Sequence, residues 1–297
     1  MKPVCAVTVP YPGVLEWLRH GHAVGLWDLR VLDGRDLEVP PCEWVLLGAW
    51  HPSYQAIVDA VHANGGRVAV AWSSSATEMD NALVEVHATQ RLVRDGAIDA
   101  WLCLNLDLVA HFPDAMWLPA PVALEDAPPS QPRSGVGFYA PATPKKNALT
   151  QLLAVRDLQR TRKAVLHTNL HPYRDVMLGY GMDFVLEEWV DRPAHLARLA
   201  RREACLAASH AESFCYGAAD ACMAGTPVVG SPTIEWLPPD WQVTNPNSPN
   251  DVKGVLYRVL TQPLHDPRSI VAAVADRNNR QAAATIQRLL QYPRRSR

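Results

Sequence analysis

Glu212 and Asp220, with seven residues between them, bracket a serine and the start of a helix-like run. The stretch from Ala207 to Val229, AASHAESFCYGAADACMAGTPVV, reads as strand, acidic turn, helix, Ala-Gly stop and strand. A helix predicted to begin near Ser213, with Ser213 as its N-cap, turns free N–H groups toward the preceding loop. That end carries about half a positive charge and suits phosphate oxygens. A bare helix end needs neither carboxylate. A ligand with a phosphate and hydroxyls on both sides uses them, because carboxylates accept strongly from hydroxyls. Solvated acids on a capped surface helix are the plain alternative, and the Gly225-Thr226-Pro227-Val228-Val229 run downstream weighs against it.

Other residues invite chemistry less strongly. Lys145 and Lys146 lie between a predicted strand and a predicted helix, where a cation would meet a phosphate; a solvated loop is the competing reading. His51 follows the strand-like WVLLGAW and would orient an acceptor or a sugar, against the plainer role of a loop histidine. His167, His171 and Asp175 have a spacing that mimics a metal site. Pro172 interrupts them and no open ligand set follows, so no metal is expected. The turn Tyr11-Pro12-Gly13 follows the first strand but lacks a glycine-rich phosphate pattern. Tryptophans 17, 27, 50 and 72 would stack on a sugar or, by default, fill the core.

The elements that must hold these residues alternate strand and helix. Strands are predicted at 4–9, 44–47, 67–72 and 100–104, with helices at 53–63 and 78–95 between them. Residues 125–134, EDAPPSQPRS, have the composition of a linker. The alternation then restarts, with strands at 135–139, 163–167, 184–186, 205–208 and 227–230. Helices are predicted at 147–159, 172–178, 193–203 and 213–224, and a last one at 268–290 with Ile270, Val271, Val274, Ile286 and Leu289 buried. Strand–helix alternation implies parallel sheets. The fold class is α/β, two Rossmann-like domains facing a cleft: an acceptor-side domain at 1–124, a linker at 125–134, a ligand-binding domain at 135–265, and a C-terminal helix with basic tail at 266–297. Ligands of such sheets bind beyond the carboxyl ends of the strands.

Charge narrows the partners. Residues 1–125 carry 7 Lys/Arg against 15 Asp/Glu, leaving 21 against 15 for the rest. The acidic first half disfavours nucleic acid and anionic membrane surfaces, while the basic second half suits a small anion. None of the six cysteines forms a CxxC or zinc-finger pattern, and several sit in apolar runs, so buried free thiols are expected. The chain reads directly into a strand with no signal peptide and has no 18-residue apolar stretch. A cytoplasmic protein without a membrane span is the expectation, its oligomeric state open.

Together, Glu212-x7-Asp220 and the following Ala221, Gly225, Pro227, Val228 and Val229 resemble the signature block of retaining glycosyltransferases of the GT-B fold, especially the large family 4 group. The likeness extends more weakly over residues 135–262, including GFYAPATPKKN. It implies a two-lobed enzyme that moves a sugar from a nucleotide-sugar donor to a soluble acceptor, with retention, without metal and with no cofactor beyond the donor. It further implies that Glu212 contacts the transferred sugar and Asp220 the ribose hydroxyls. The backbone of Ser213, Phe214, Cys215 and Tyr216 would cradle the diphosphate. Lys145, or else Lys146, would neutralise it, and Glu188 and Trp189 would end the strand beside the nucleobase. Three residues depart from the pattern: Asp220 replaces a glutamate, Ser213 and Cys215 replace glycines, and Phe138-Tyr139 stand where an arginine is usual. The alternatives are a transferase acting on a hydroxylated base in phage DNA, a nucleotide-sugar epimerase, and a non-catalytic nucleotide-sugar binder.

Overall fold

The computed structural model describes residues 4–8, 12–31, 41–73, 86–112, 114–126, 128–129, 131–262 and 264–293. The chain divides into two compact units, Met1–Ala123 with Ala275–Arg297, and Leu124–Val274.

The first unit holds a six-stranded, all-parallel sheet in the order β2-β1-β3-β4-β5-β6. Its strands are β1 (Val4–Thr8), β2 (Asp28–Val31), β3 (Trp44–Leu47), β4 (Arg67–Trp72), β5 (Ala100–Cys103) and β6 (Ala115–Trp117). The helices are α1 (Pro12–Ala23), α2 (Gln55–Ala63), α3 (86–94) and α4 (Leu106–His111). β3 and β4 are buried along their whole length, as the unbroken apolar runs require for strands covered on both faces. α2 lays Ile57, Val58 and Val61 on the sheet and stops at Gly65, whose φ of 73° only glycine adopts freely. The predicted turn at 11–13 is not found: Pro12 and Gly13 open α1, with proline in the first turn where its missing N–H costs nothing, and Tyr11 lies outside the described residues. Of the predicted helix at 78–95, residues 78–85 also lie outside them.

The long last helix α10 (Pro267–Leu290) runs from the second unit into the first. Asn278 donates to the Ala120 carbonyl at 3.1 Å, and Asn279 exchanges two hydrogen bonds with the Val122 backbone. Thr285 donates to the Trp117 carbonyl at 2.9 Å. These side chains satisfy the backbone of a segment that leaves the sheet after β6. Val271, Val274, Ile286 and Leu289 are buried as expected, and Ile270 only in part.

The second unit holds a five-stranded parallel sheet in the order β11-β10-β7-β8-β9. Its strands are β7 (Val136–Phe138), β8 (Leu166–Thr168), β9 (Phe184–Leu186), β10 (Ala204–Ala207) and β11 (Val228–Gly230). The helices are α5 (Ala148–Gln159), α6 (Arg174–Gly179), α7 (Arg192–Leu199), α8 (Tyr216–Met223) and α9 (Pro249–Thr261). The chain winds from β7 outward to β9, then returns to place β10 on the other side of β7. That reversal is the topological switch point, and the loops after β7 and β10 flank it. All six cysteines are free thiols; Cys42 and Cys215 are half-buried and the other four buried.

Candidate active site

The loop after β7 and the loop after β10 are stitched to each other. The first ends in a 3₁₀ turn, Pro144–Lys146, then Asn147 in the left-handed region at φ 52°. Asn147 tolerates that region, and its side chain donates to the Ala208 carbonyl at 3.2 Å and to the Pro246 carbonyl. Gln151, fully buried on α5, donates to the Lys146 carbonyl at 2.7 Å and accepts from the Ala208 N–H at 2.9 Å. The His210 N–H donates to the Lys145 carbonyl at 2.8 Å. Every bond spans the two loops or fixes the end of one, so the site backbone is held before any ligand arrives.

These bonds set Lys146 against Glu212. The two side chains form an ion pair, with Glu212 8% exposed and Lys146 16%. A charge pair this enclosed is costly to assemble and costlier to break. Lys145, next door in the same turn, is half-buried.

The helix mouth differs from expectation. Ser213 is not the N-cap: α8 begins at Tyr216, and its N-cap is Cys215 at φ 67°, with no side-chain cap bond. The chain makes a left-handed turn there because Phe214 must dip into the core, where it stacks on Trp236 at 5.5 Å and meets Tyr216 at 4.8 Å. The Phe214 carbonyl accepts from Trp236 Nε1 at 2.7 Å, so Phe214 anchors the turn. Burial pushes the Cys215 thiol up to about 12, with the Glu212 charge adding to the effect. It is a neutral thiol at neutral pH and no nucleophile.

Asp220 is 7% exposed and held by Arg192, the first residue of α7. Arg192 Nη1 and Nη2 donate to the two carboxylate oxygens at 3.2 and 2.9 Å, a fork-to-fork pair. The same guanidinium pairs with Glu125. Sequence reasoning passed over Arg192. The available signal was Asp191-Arg192-Pro193, a helix start in which Asp191 caps the Ala194 N–H at 3.0 Å.

Glu188 and Trp189 do not end a strand: β9 stops at Leu186, and both lie in the loop to α7. Trp189 is 64% exposed, and His171 Nε2 stands 3.4 Å from Glu188. The residue that follows β9 is Glu187, the centre of a network that periodicity could not reveal. Tyr139 donates to Glu187 Oε2 at 3.0 Å, Arg202 Nη2 to Oε1 at 3.2 Å, and Arg202 Nε to the Tyr139 oxygen at 3.2 Å. Adjacent parallel strands place Gly137 beside His167 and His167 beside Val185, and Tyr139 and Glu187 continue the same face two residues on. The bare Gly137 lets the Arg202 stem pass: a β-carbon there would stand 3.1 Å from Arg202 Cγ. His167 and His171 therefore turn to different carboxylates. His51 belongs to the first unit, where its Nδ1 caps the Ser53 N–H at 3.2 Å. Among the described residues no His, Cys, Asp and Glu side chains gather as a metal site would require.

The network carries a pH signature. Burial pushes the Glu187 carboxyl up, but hydrogen bonds from His167 and Tyr139 with the Arg202 charge outweigh it and leave it below its ordinary value. Burial and the Arg202 charge hold the His167 imidazole below its ordinary value against the pull of Glu187. Neutral His167 donates from Nδ1 to Glu187 Oε1 at 3.0 Å. The unfolded chain thus takes up this proton at higher pH than the fold does. Stability is complete above the unfolded value of about 6.5 and is lost as pH falls toward and through the folded value. Urea denaturation between about pH 7.5 and 5 is expected to show this decline, and His167→Asn to flatten it.

No protein-family model and no curated protein matches the sequence. The likeness lies in the structure. A sucrose-phosphate synthase from Thermosynechococcus elongatus is similar over 99% of this chain and 100% of its own, with a TM-score of 0.70 at 12% identity. The Anabaena protein HepE, solved in complex with UDP-glucose, is similar over 97% of this chain and 99% of its own, with a TM-score of 0.69 at 11% identity. The pneumococcal O-GlcNAc transferase GtfA, solved with UDP and GlcNAc, is similar over 83% of this chain, with a TM-score of 0.60 at 13% identity; this chain spans 57% of that one. Such likeness is one of fold: α/β, with two parallel sheets flanked by helices, as in glycosyltransferases of the GT-B fold.

Proposed function

We propose that this protein is a glycosyltransferase that takes a sugar from a nucleoside-diphosphate donor. The observation that carries the reading is the enclosed Lys146–Glu212 pair beside the mouth of α8 at the switch point of the second sheet. An ammonium and the positive end of a helix dipole are what a leaving diphosphate needs, since negative charge grows there in the transition state. Glu212 holds Lys146 in place and, on the donor side, accepts from hydroxyls of the sugar. Asp220, its carboxylate oriented by Arg192, is the acid that would meet a ribose hydroxyl. Trp189, exposed on the loop after β9, offers a face for the nucleobase.

The reaction breaks the bond between the anomeric carbon and the diphosphate oxygen and forms one to an acceptor oxygen. The acceptor proton passes to the departing phosphate on the same face, which retains the anomeric configuration. Lys146 and the positive end of α8 supply the positive charge, and no metal is required. A uridine nucleotide is the first donor to try, because two of the structural relatives were solved with UDP or UDP-glucose.

A thermal-shift panel of nucleotide-sugars tests donor use. A saturating donor at about 100 times its Kd is expected to stabilise the protein by about 2.7 kcal/mol. No shift with any nucleotide-sugar would remove the donor site. With a turnover-competent donor, NMR of the product reads the anomeric outcome, and excess EDTA is expected to leave the rate unchanged.

A further inference from the structure

The second unit carries another feature, at the end where β10 and β11 begin rather than beyond their carboxyl ends. A cleft of about 260 Å³ opens where α7 ends at Leu199 and α8 at Met223. Arg133, Arg268 and Gln131 line it together with Gly225 and Asp266. The point where a β-carbon would stand on Gly225 is 3.1 Å from Arg133 Nη2 and 3.3 Å from Arg268 Nε. Both guanidiniums thus lie against Gly225, at φ 78°, closer than a side chain there would ordinarily allow.

Both arginines are exposed, so water screens their repulsion and leaves both charges open to an anion at the cleft. Asp266 is the nearby acid; its oxygens cap α10, accepting from the Arg268 N–H at 3.3 Å and from Ser269 N–H and Oγ–H at 3.1 and 2.5 Å, and its single charge offsets one of the two guanidiniums. The carbonyl ends of α7 and α8 attract cations and account for arginines in this region. They do not account for the convergence, since among the described residues neither guanidinium donates to a carbonyl or a carboxylate. Gln131 gives its amide oxygen to Arg201 Nε, which leaves its N–H₂ to offer. The donor set is then two planar forks and an amide, against the one carboxylate of Asp266.

We infer that this cleft binds a phosphate group, as inorganic phosphate or as a small phosphomonoester. Paired guanidiniums recognise phosphate oxygens through parallel N–H bonds, which an isolated lysine cannot do. The cleft is smaller than the roughly 300 Å³ at which pockets for larger ligands begin, so the organic part is no bigger than a monosaccharide. The site is separate from the Lys146–Glu212 pair and does not depend on its function.

Calorimetric titration of the full chain with potassium phosphate, and separately with a hexose monophosphate, tests this at ionic strength matched with potassium chloride. Saturable binding of either anion is expected, and the tighter of the two identifies the source of the phosphate. Arg133→Gln and Arg268→Gln are each expected to weaken it about 10-fold or more, and the double variant to abolish it. Lys146→Ala is expected to bind as the wild type does. Arg133→Lys with Arg268→Lys keeps the charges and loses the forks; it serves if the glutamine pair fails to fold, and several-fold weaker binding is expected. No saturable binding of either anion would overturn the proposal. So would binding that survives the arginine changes or disappears with Lys146→Ala.

Discussion

Glu212→Gln is expected to lower sugar transfer by about 100-fold or more while leaving the fold in place. The substitution keeps the shape and removes the charge, so Lys146 loses the partner that fixes its ammonium in an enclosed site. Loss of one preorganised charge at a transition state costs about 2.7–4 kcal/mol, which sets the size of the effect. Lys146→Ala is expected to match it and to weaken donor binding as well. Lys145→Ala is expected to do less, because it is the Lys145 carbonyl, accepting from His210, that ties the turn. Single-turnover rates with a donor found in the thermal-shift panel give the comparison. Equal turnover in Glu212→Gln and wild type would place the chemistry elsewhere.

Arg202→Met is expected to destabilise the second unit by about 3 kcal/mol, the cost of taking its most buried cation from an enclosed carboxylate. Arg202 is 5% exposed, bonds Glu187 and Tyr139, and donates to the Ser134 carbonyl at 3.3 Å. Its removal leaves the Glu187 carboxylate with the hydrogen bonds of His167 and Tyr139 and the more exposed Arg198, whose Nε stands 3.5 Å away, in a site whose burial disfavours the charge. Calorimetry should record a fall of roughly 6–12 °C in the midpoint of that unit. Adding Glu187→Met to Arg202→Met is expected to recover part of the loss, since an apolar pair of similar volume replaces an enclosed carboxylate that has lost a cation. A midpoint within about 1 °C of wild type would show that the network contributes nothing to the fold.

The parallel sheets were legible in the residues because β3, β4 and β10 are unbroken apolar runs between helix stops, and burial on both faces demands such runs. The predicted bounds of β3, β4 and β9 match the structure. The helix start at Ser213 did not match: a capping serine is a local signal, and it lost to the core contact of Phe214 with Trp236, 22 residues away. The same blindness covers Arg192 with Asp220 and Arg202 with Glu187, pairs separated by 28 and 15 positions. Periodicity and capping act within one or two turns, so the sequence by itself determined most strands and which loop carries the acids, but missed the short β2 and β6. Which of two adjacent lysines meets Glu212, and which arginine holds Asp220, was decided only when strand order brought the loops after β7 and β10 side by side. Register between distant strands is a property of the packed sheet, and no short window of sequence encodes it.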